Sequence, residues 1–325
     1  MNDKLVEYSV VVYDPSKYKR EVYVGKRNGI RKCRFCGRTL DESKYSKVAH
    51  AISVTLGNVK FFCADECDEC NERFGQRIEN DMTNFFQVHL SLYQVPKRDG
   101  KTRKIVGRNF DMQMSNDSNP FNNLPILRIQ MKDWKNQEIS VENIGNLLHD
   151  LDLTNKTYVP QNIYKGICKY ALSLTPESIL SHYKKTIEWI NSDNFEKTLP
   201  IVKSAYIDRA GNEPIMYLFI RKTDNNAYPL LVAFLCVANA HFLYLLPFSD
   251  ESDSVEEDNE RLNTFLTVLK ESLHINDCYE NCDLSNTERI GFHFIFDLKF
   301  EPGATAFLCK KDIATGQYII ENNSK

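Results

Sequence analysis

The sequence predicts an α+β protein in two regions: a small cysteine-rich front region over residues 1–104, and a larger region over 105–325 built mainly from antiparallel strands. Three observations predict it. Five of the ten cysteines fall within residues 33–70. The stretch 94–104, QVPKRDGKTRK, is basic and polar and carries Pro and Gly, which is the composition of an exposed connection. Beyond it, helix-period segments precede strand-period segments separated by short turns, an order that favours α+β over doubly wound α/β. A chain of 325 residues is expected to form two domains and can bury a core without staples.

The elements follow in chain order. VEYSVVVYD and REVYVGKR, rich in Val and Tyr, read as two short strands around a turn at PSKYK. Residues 71–89 read as one helix whose apolar face is Phe74, Ile78, Met82, Phe85 and His89, at spacings of three and four. LPILRIQM is a strand. NIYKGICKYALSL is an amphipathic helix with Ile163, Ile167, Tyr170 or Ala171, and Leu174 on one face. It meets a second helix, TPESILSHYKKTIEWI, which Thr175 can cap with Pro176 in the first helical position. IVKSAYIDR, PIMYLFIRK, PLLVAFLCVA, HFLYLLPF and RIGFHFIFDLKF are strands. The acidic run 249–261, with seven carboxylates, is expected to be a solvated loop. The apolar stretch 228–248 is long enough to span a bilayer. However, Asn239 and His241 fall in its middle, and Pro229 and Pro247 bracket it, so two buried strands are expected instead.

Charge is unevenly spread. Residues 1–104 carry 20 Lys/Arg against 14 Asp/Glu, whereas 105–325 carry 21 against 30. Within residues 15–60 the ratio is 12 to 3. A basic front on an acidic body points to a polyanion contact at the front of the chain. The opening residues contain no apolar secretory segment, so a cytoplasmic chain is expected, with its cysteines as thiols or metal ligands rather than disulfides.

CRFCG supplies Cys33 and Cys36, and CDECN supplies Cys67 and Cys70. Two CxxC pairs at this separation have the spacing of a structural Zn²⁺ site, in which each pair forms one knuckle and four thiolates close a tetrahedron. Such an ion has no open position, so it is expected to hold the fold and not to react. Arg31, Lys32, Arg34 and Arg38 are placed to offset its negative charge. Cys63 is a fifth thiol whose CxxxC spacing to Cys67 fits a knuckle less well.

Between the knuckles a short strand ends at His50, a loop runs through AISVTLGN, a second strand VKFF follows, and the helix comes next. The pattern CRFCG…AH…LGN…ECDECN..FG..IE, over about residues 31–86, resembles the HNH endonuclease family in its zinc-stapled form. The resemblance implies a ββα-metal nuclease that hydrolyses phosphodiester bonds in nucleic acid, with DNA the expected partner. His50 would be the general base, Asn58 the residue that orients it, and Asn71 a contact to a catalytic Mg²⁺ or Mn²⁺. Asn71, Gly75 and Glu79 are spaced by four on one helix face, so Glu79 is a further candidate beside that cation, and Gly75 would permit a close approach. The pattern departs from the family at Ala49, where a metal-ligating acid or histidine is usual; Asp65, Glu66, Asp68 or Glu79 could compensate. Two rival readings are a zinc-stapled module that binds nucleic acid without cutting it, and a zinc-scaffolded protein-interaction module. A second metal site from His274, Cys278, Cys282 and His293 is weighed and not expected.

Overall fold

The computed structural model describes residues 5, 7–26, 28–29, 31–115, 126–132, 152–207, 211–274, 278–291, 309–311 and 318–320. It is mixed α+β with a mainly antiparallel main sheet, in agreement with the expected class.

The front of the chain forms β1 (Tyr8–Tyr13), β2 (Val22–Val24), β3 (Ala49–His50), β4 (Phe61–Cys63), α1 (Asp68–Arg77) and α2 (Glu79–Leu92). Next come β5 (Ile105–Val106), β6 (Phe110–Ser115), β7 (Ile126–Met131), β8 (Thr157–Tyr158), α3 (Pro160–Leu174), the single turn α4 (Glu177–Leu180) and α5 (Lys184–Asn191). The chain continues with β9 (Val202–Tyr206), β10 (Ile215–Arg221), β11 (Leu231–Val237), β12 (Ala240–Leu245), α6 (Val255–Leu273), β13 (Glu280–Cys282), β14 (Ile290–Gly291), β15 (Cys309–Lys311) and β16 (Tyr318–Ile320).

The main sheet runs β1-β10-β11-β12-β9-β13, and every pairing in it is antiparallel. Its central strands bury both faces. Met216, Leu218, Ala233, Leu235, Ala240, Phe242 and Tyr244 face α2 and α3, while Phe219, Val232, Leu243 and Leu245 face Leu262, Phe265 and Leu269 of α6. Burial on both faces explains why 228–248 reads as one apolar run: it is the β11–β12 hairpin, turning at Ala238 and Asn239. No helix among the described residues is long and apolar enough to cross a membrane.

The two opening strands do form, but in different sheets. β1 pairs along its whole length with β10, while β2 pairs in parallel with β4 in a small sheet ordered β2-β4-β3. One continuous core holds Cys33, Phe35, Phe61 and Phe74 together with Met216, Leu235 and Tyr244. The connection at 94–104 therefore separates the two stretches in sequence, while their apolar side chains pack as one.

α3 occupies the centre, and nearly every residue in it is buried. Tyr244 on the sheet donates its hydroxyl to Ile167 O, and Tyr164 on the helix donates to Leu245 O. The expected one-sided amphipathic stripe is thus buried all round, as befits a helix packed between layers. Both ends of α3 are held by the front of the chain. Asp81 of α2 accepts from the Asn162 side chain (2.7 Å) and from Val159 N at the helix start, and it pairs with Arg289. At the other end, Arg34 donates to the carbonyls of Leu172, Ser173 and Thr175. An anion at the N-terminus and a cation at the C-terminus match the helix dipole.

Several expectations need correction. The helix over 71–89 starts earlier, ends later and bends: α1 gives way to α2 at Ile78, while the ladder continues through Ile78 N to Phe74 O and Met82 N to Ile78 O. The bend lies where α3 comes closest. A Cβ on Gly166 would meet Met82 Sδ at 2.5 Å and Ile78 Cγ2 at 3.0 Å, so only glycine fits there without a shift. Thr175 caps no following helix; its hydroxyl donates back to Ala171 O, and Pro176 stands just before α4. The acidic run is not a loop throughout, because its second half is the first turn of α6. Ser254 accepts from Glu257 N, and Glu256, Glu257 and Asp258 sit at the positive helix end. The signal was present as Ser-x-x-Glu. Within RIGFHFIFDLKF, only Arg289–Gly291 are described; the remainder, His293 included, lies outside the described residues.

Candidate functional site

The four cysteines predicted from spacing converge. The Sγ atoms of Cys33, Cys36, Cys67 and Cys70 all lie within 4.8 Å of one another, with Cys33–Cys70 at 3.8 Å and Cys36–Cys67 at 3.6 Å. A tetrahedron with arms of about 2.3 Å has edges of about 3.8 Å, so the cluster has the dimensions of a tetrathiolate metal site. Local structure produces it. The first knuckle is a tight turn in which Gly37 N donates to Cys33 O. The second opens α1, with Cys67 as its N-cap. Cys67 N also points at Cys33 Sγ (3.4 Å). Two cations serve the sulfurs: Arg38 Nε lies 3.3 Å from Cys36 Sγ, and an Arg73 guanidinium nitrogen lies 3.0 Å from Cys70 Sγ. Arg38 was expected and Arg73 was not. Arg34, expected here too, is spent on Asp65 and the α3 carbonyls instead, and Arg31 lies over the Tyr45 ring. Cys63 stays outside the cluster; burial pushes its thiol up, and its Sγ points at Asp65. Among the described residues, the quartet is the only group of three or more His, Cys, Asp or Glu close enough to share an ion. His274 and Cys278 are exposed and belong to no such group.

β3, the loop, β4 and α1 follow in the order expected between and after the knuckles. His50 ends β3 opposite Phe62 of β4, and the two rings lie 4.7 Å apart. On the far side of Phe62, Tyr23 of β2 stacks at 5.1 Å, so three rings form a row across the small sheet. His50 Nδ1 is buried and has no hydrogen-bond partner. Burial, and after it the nearby cations Lys169 and Arg98, hold the imidazole below its ordinary value, which favours the neutral ring at neutral pH.

Asn58 is fully committed to the backbone. Its Nδ2 donates to Ile52 O (2.7 Å) and Phe61 O (2.8 Å), and its Oδ1 accepts from Lys60 N and Phe61 N. It ties Ile52, two residues after His50, to Phe61 at the start of β4 and has no donor left for the ring. The expected contact by which Asn58 would orient the ring is therefore absent.

Asn71 and Glu79 both line a small recess, with Phe74, Ile78, Gly166, Lys169 and Tyr170. Gly75 does not serve a close approach by protein, because a Cβ there would meet nothing within 4 Å. Gly75→Ala should therefore raise stability by about 0.5–1 kcal/mol through helix propensity, read as a higher midpoint in urea. Of the carboxylates considered as substitutes for a ligand at position 49, Asp65 pairs with Arg34, Glu66 with Lys169, and Asp68 accepts the Ser46 and Lys47 amides. Only Glu79 borders the recess. Ala49 itself is 1% exposed and carries a methyl group.

Sequence reasoning missed Lys169. It lies on α3, outside the front region, and is 6% exposed. Its ammonium donates to His50 O (3.0 Å), lies 3.0 Å from Glu66 Oε2 and rests near the rings of Phe35 and Phe74. Burial raises the Glu66 carboxyl, and the ammonium opposes that rise. The signal was a polar residue recurring four apart, Lys165 and Lys169, in an otherwise apolar helix.

The two metal expectations fare differently. Four thiolates suit a soft ion at the quartet. The recess offers a hard divalent cation one carboxylate, Glu79, beside the neutral side chains of Asn71 and Tyr170, with no ligand from Ala49 and a lysine in the same wall, so as it stands this donor set does not fit Mg²⁺ or Mn²⁺. Compared with protein-family models, curated proteins and solved structures, the chain matches none.

Proposed function

We propose that the quartet binds Zn²⁺ as a structural ion and that the β3–loop–β4–α1 unit it staples is an HNH-type nuclease site, hydrolysing phosphodiester bonds in DNA. The observation that carries this reading is the position of His50. It ends β3, with its ring packed on Phe62 and its pKa lowered toward the neutral form, and with its buried Nδ1 free of any protein partner. Such a group can take a proton from a water attacking phosphorus. The basic surface of residues 15–60 supplies the attraction for the polyanion.

The test is nicking of supercoiled plasmid by the zinc-loaded chain, with and without Mg²⁺ or Mn²⁺. His50→Ala should lower the rate by about 10²–10⁴-fold while leaving the zinc content unchanged. Because the folded imidazole sits below about 6.5, activity should be level near pH 7 and fall as the pH drops through that lowered value. Equal rates for wild type and His50→Ala would sink the reading.

Ala49 favours a second reading, in which the module binds nucleic acid and does not cut it. That version predicts DNA affinity falling steeply with salt and no nicking under any condition.

A further inference from the structure

We propose that Lys169 stands in the place of the divalent cation at this site: the positive charge beside His50, Asn71 and Glu79 is an ammonium of the chain's own, delivered by α3. The inference rests on the nuclease reading for the role of the recess, and it departs from the metal dependence that the resemblance implies.

The geometry brings one cation to the point where a ββα-metal site would hold another. Lys169 lines the recess with Asn71, Glu79 and Tyr170. The same ammonium lies 3.0 Å from both His50 O and Glu66 Oε2, which places it between the strand that carries the base and a carboxylate next to the second knuckle. Glu66 is wholly buried, and the Lys169 ammonium is its ion-pair partner. A charged side chain this deep is retained when its partner would otherwise be stranded. Gly166, three residues earlier, removes the side chain that would keep α3 away from Ile78 and Met82, and so lets Lys169 reach across. Ala49 then needs no explanation as a lost ligand. With a fixed ammonium in the wall, a ligand at 49 would recruit a second cation against like-charge repulsion. The charge also comes from a helix packed on the main sheet, so the state of the site depends on how α3 is seated.

The experiment is Mn²⁺ binding, followed by electron paramagnetic resonance on the full-length, zinc-loaded chain, with plasmid nicking measured on the same samples. Wild type should bind no Mn²⁺ at the recess. Lys169→Met should bind it at least about tenfold more tightly, because the repelling charge is gone. That gain should disappear when Glu79→Gln is added. If Lys169→Met does not fold, Lys169→Met/Glu66→Gln removes both charges together and takes its place. Stoichiometric Mn²⁺ binding by wild type that is lost in Asn71→Ala or Glu79→Gln overturns the inference, and so does a folded lysine variant that gains no affinity. The nicking result is separate. Mn²⁺ binding with Mn²⁺-dependent nicking removes this inference and leaves the nuclease reading standing. Absence of nicking in every condition, with Mn²⁺ gained only by the variant, removes the nuclease reading and leaves this inference standing.

Discussion

Cys70→Ser is expected to abolish metal binding and to cost more stability than any other single change considered. A serine hydroxyl is a poor ligand for an ion chosen by thiolates, and a tetrathiolate site missing one corner releases its metal. The loss cannot stay local, because Cys33, Cys67 and Cys70 are buried in the same core as Phe35, Phe74, Met216 and Tyr244. Metal binding free energy is folding free energy wherever the site is absent from the unfolded chain. A loss of only ~5 kcal/mol would lower Tm by roughly 10–20 °C in a large domain. Elemental analysis should give about one metal per chain for wild type and close to none for the variant, and calorimetry should record the fall in Tm. Removal of the Arg38 or Arg73 side chain should weaken metal retention less, because each donates to a sulfur without binding the ion.

Arg34→Met is expected to be the second most damaging change, and Arg34→Lys should not restore stability. The Arg34 side chain is 2% exposed and engages Asp65 through two nitrogens, at 2.6 and 3.0 Å, while a third face of the guanidinium caps α3. Removing it strands Asp65 and takes the guanidinium donor from three carbonyls at the end of a buried helix, of which Leu172 O keeps the Thr175 amide. Breaking a buried pair of this kind costs about 3–5 kcal/mol. Lysine keeps the charge but lacks the planar fork that serves the carboxylate and the helix end together. Urea denaturation should show the fall in midpoint for both variants. An Asp65→Asn/Arg34→Met pair should lose less than the sum of the two single changes, because the two residues share one interaction.

These two residues show where sequence reading reached and where it stopped. The cysteines were readable because ligand spacing is a property of neighbouring residues: CxxC twice, at the right separation, has few other uses. Arg34 lies between two of those cysteines, and its sequence context assigned it to the sulfurs. Its actual partners are Asp65 and the carbonyls of residues 172, 173 and 175, more than a hundred positions away for the latter. The helix after the second knuckle was readable from Phe74, Ile78 and Met82, yet its bend at Ile78 was not, because the bend accompanies close packing against Gly166 of another helix. β1 was readable as a strand from its Val and Tyr content, but nothing local could say that it joins β10 rather than β2. The start of α6 was missed for a different reason: a run of carboxylates was read as charge alone, when Ser254 and Glu257 formed a capping signal within it.

By itself, then, the sequence determined the α+β class, the four thiols that converge, the β–loop–β–helix order between and after them, and the places of His50, Asn58, Asn71 and Glu79 along that unit. Each of these depends on spacing within one or two elements. The tertiary structure alone decided that front and rear share a core, and that α3 brings Lys169 to His50 O and to the recess of Asn71 and Glu79. Contacts between residues a hundred or more positions apart leave no periodic trace in either segment. They are set by which apolar faces bury one another, and the charges carried on those faces find their partners only as a consequence.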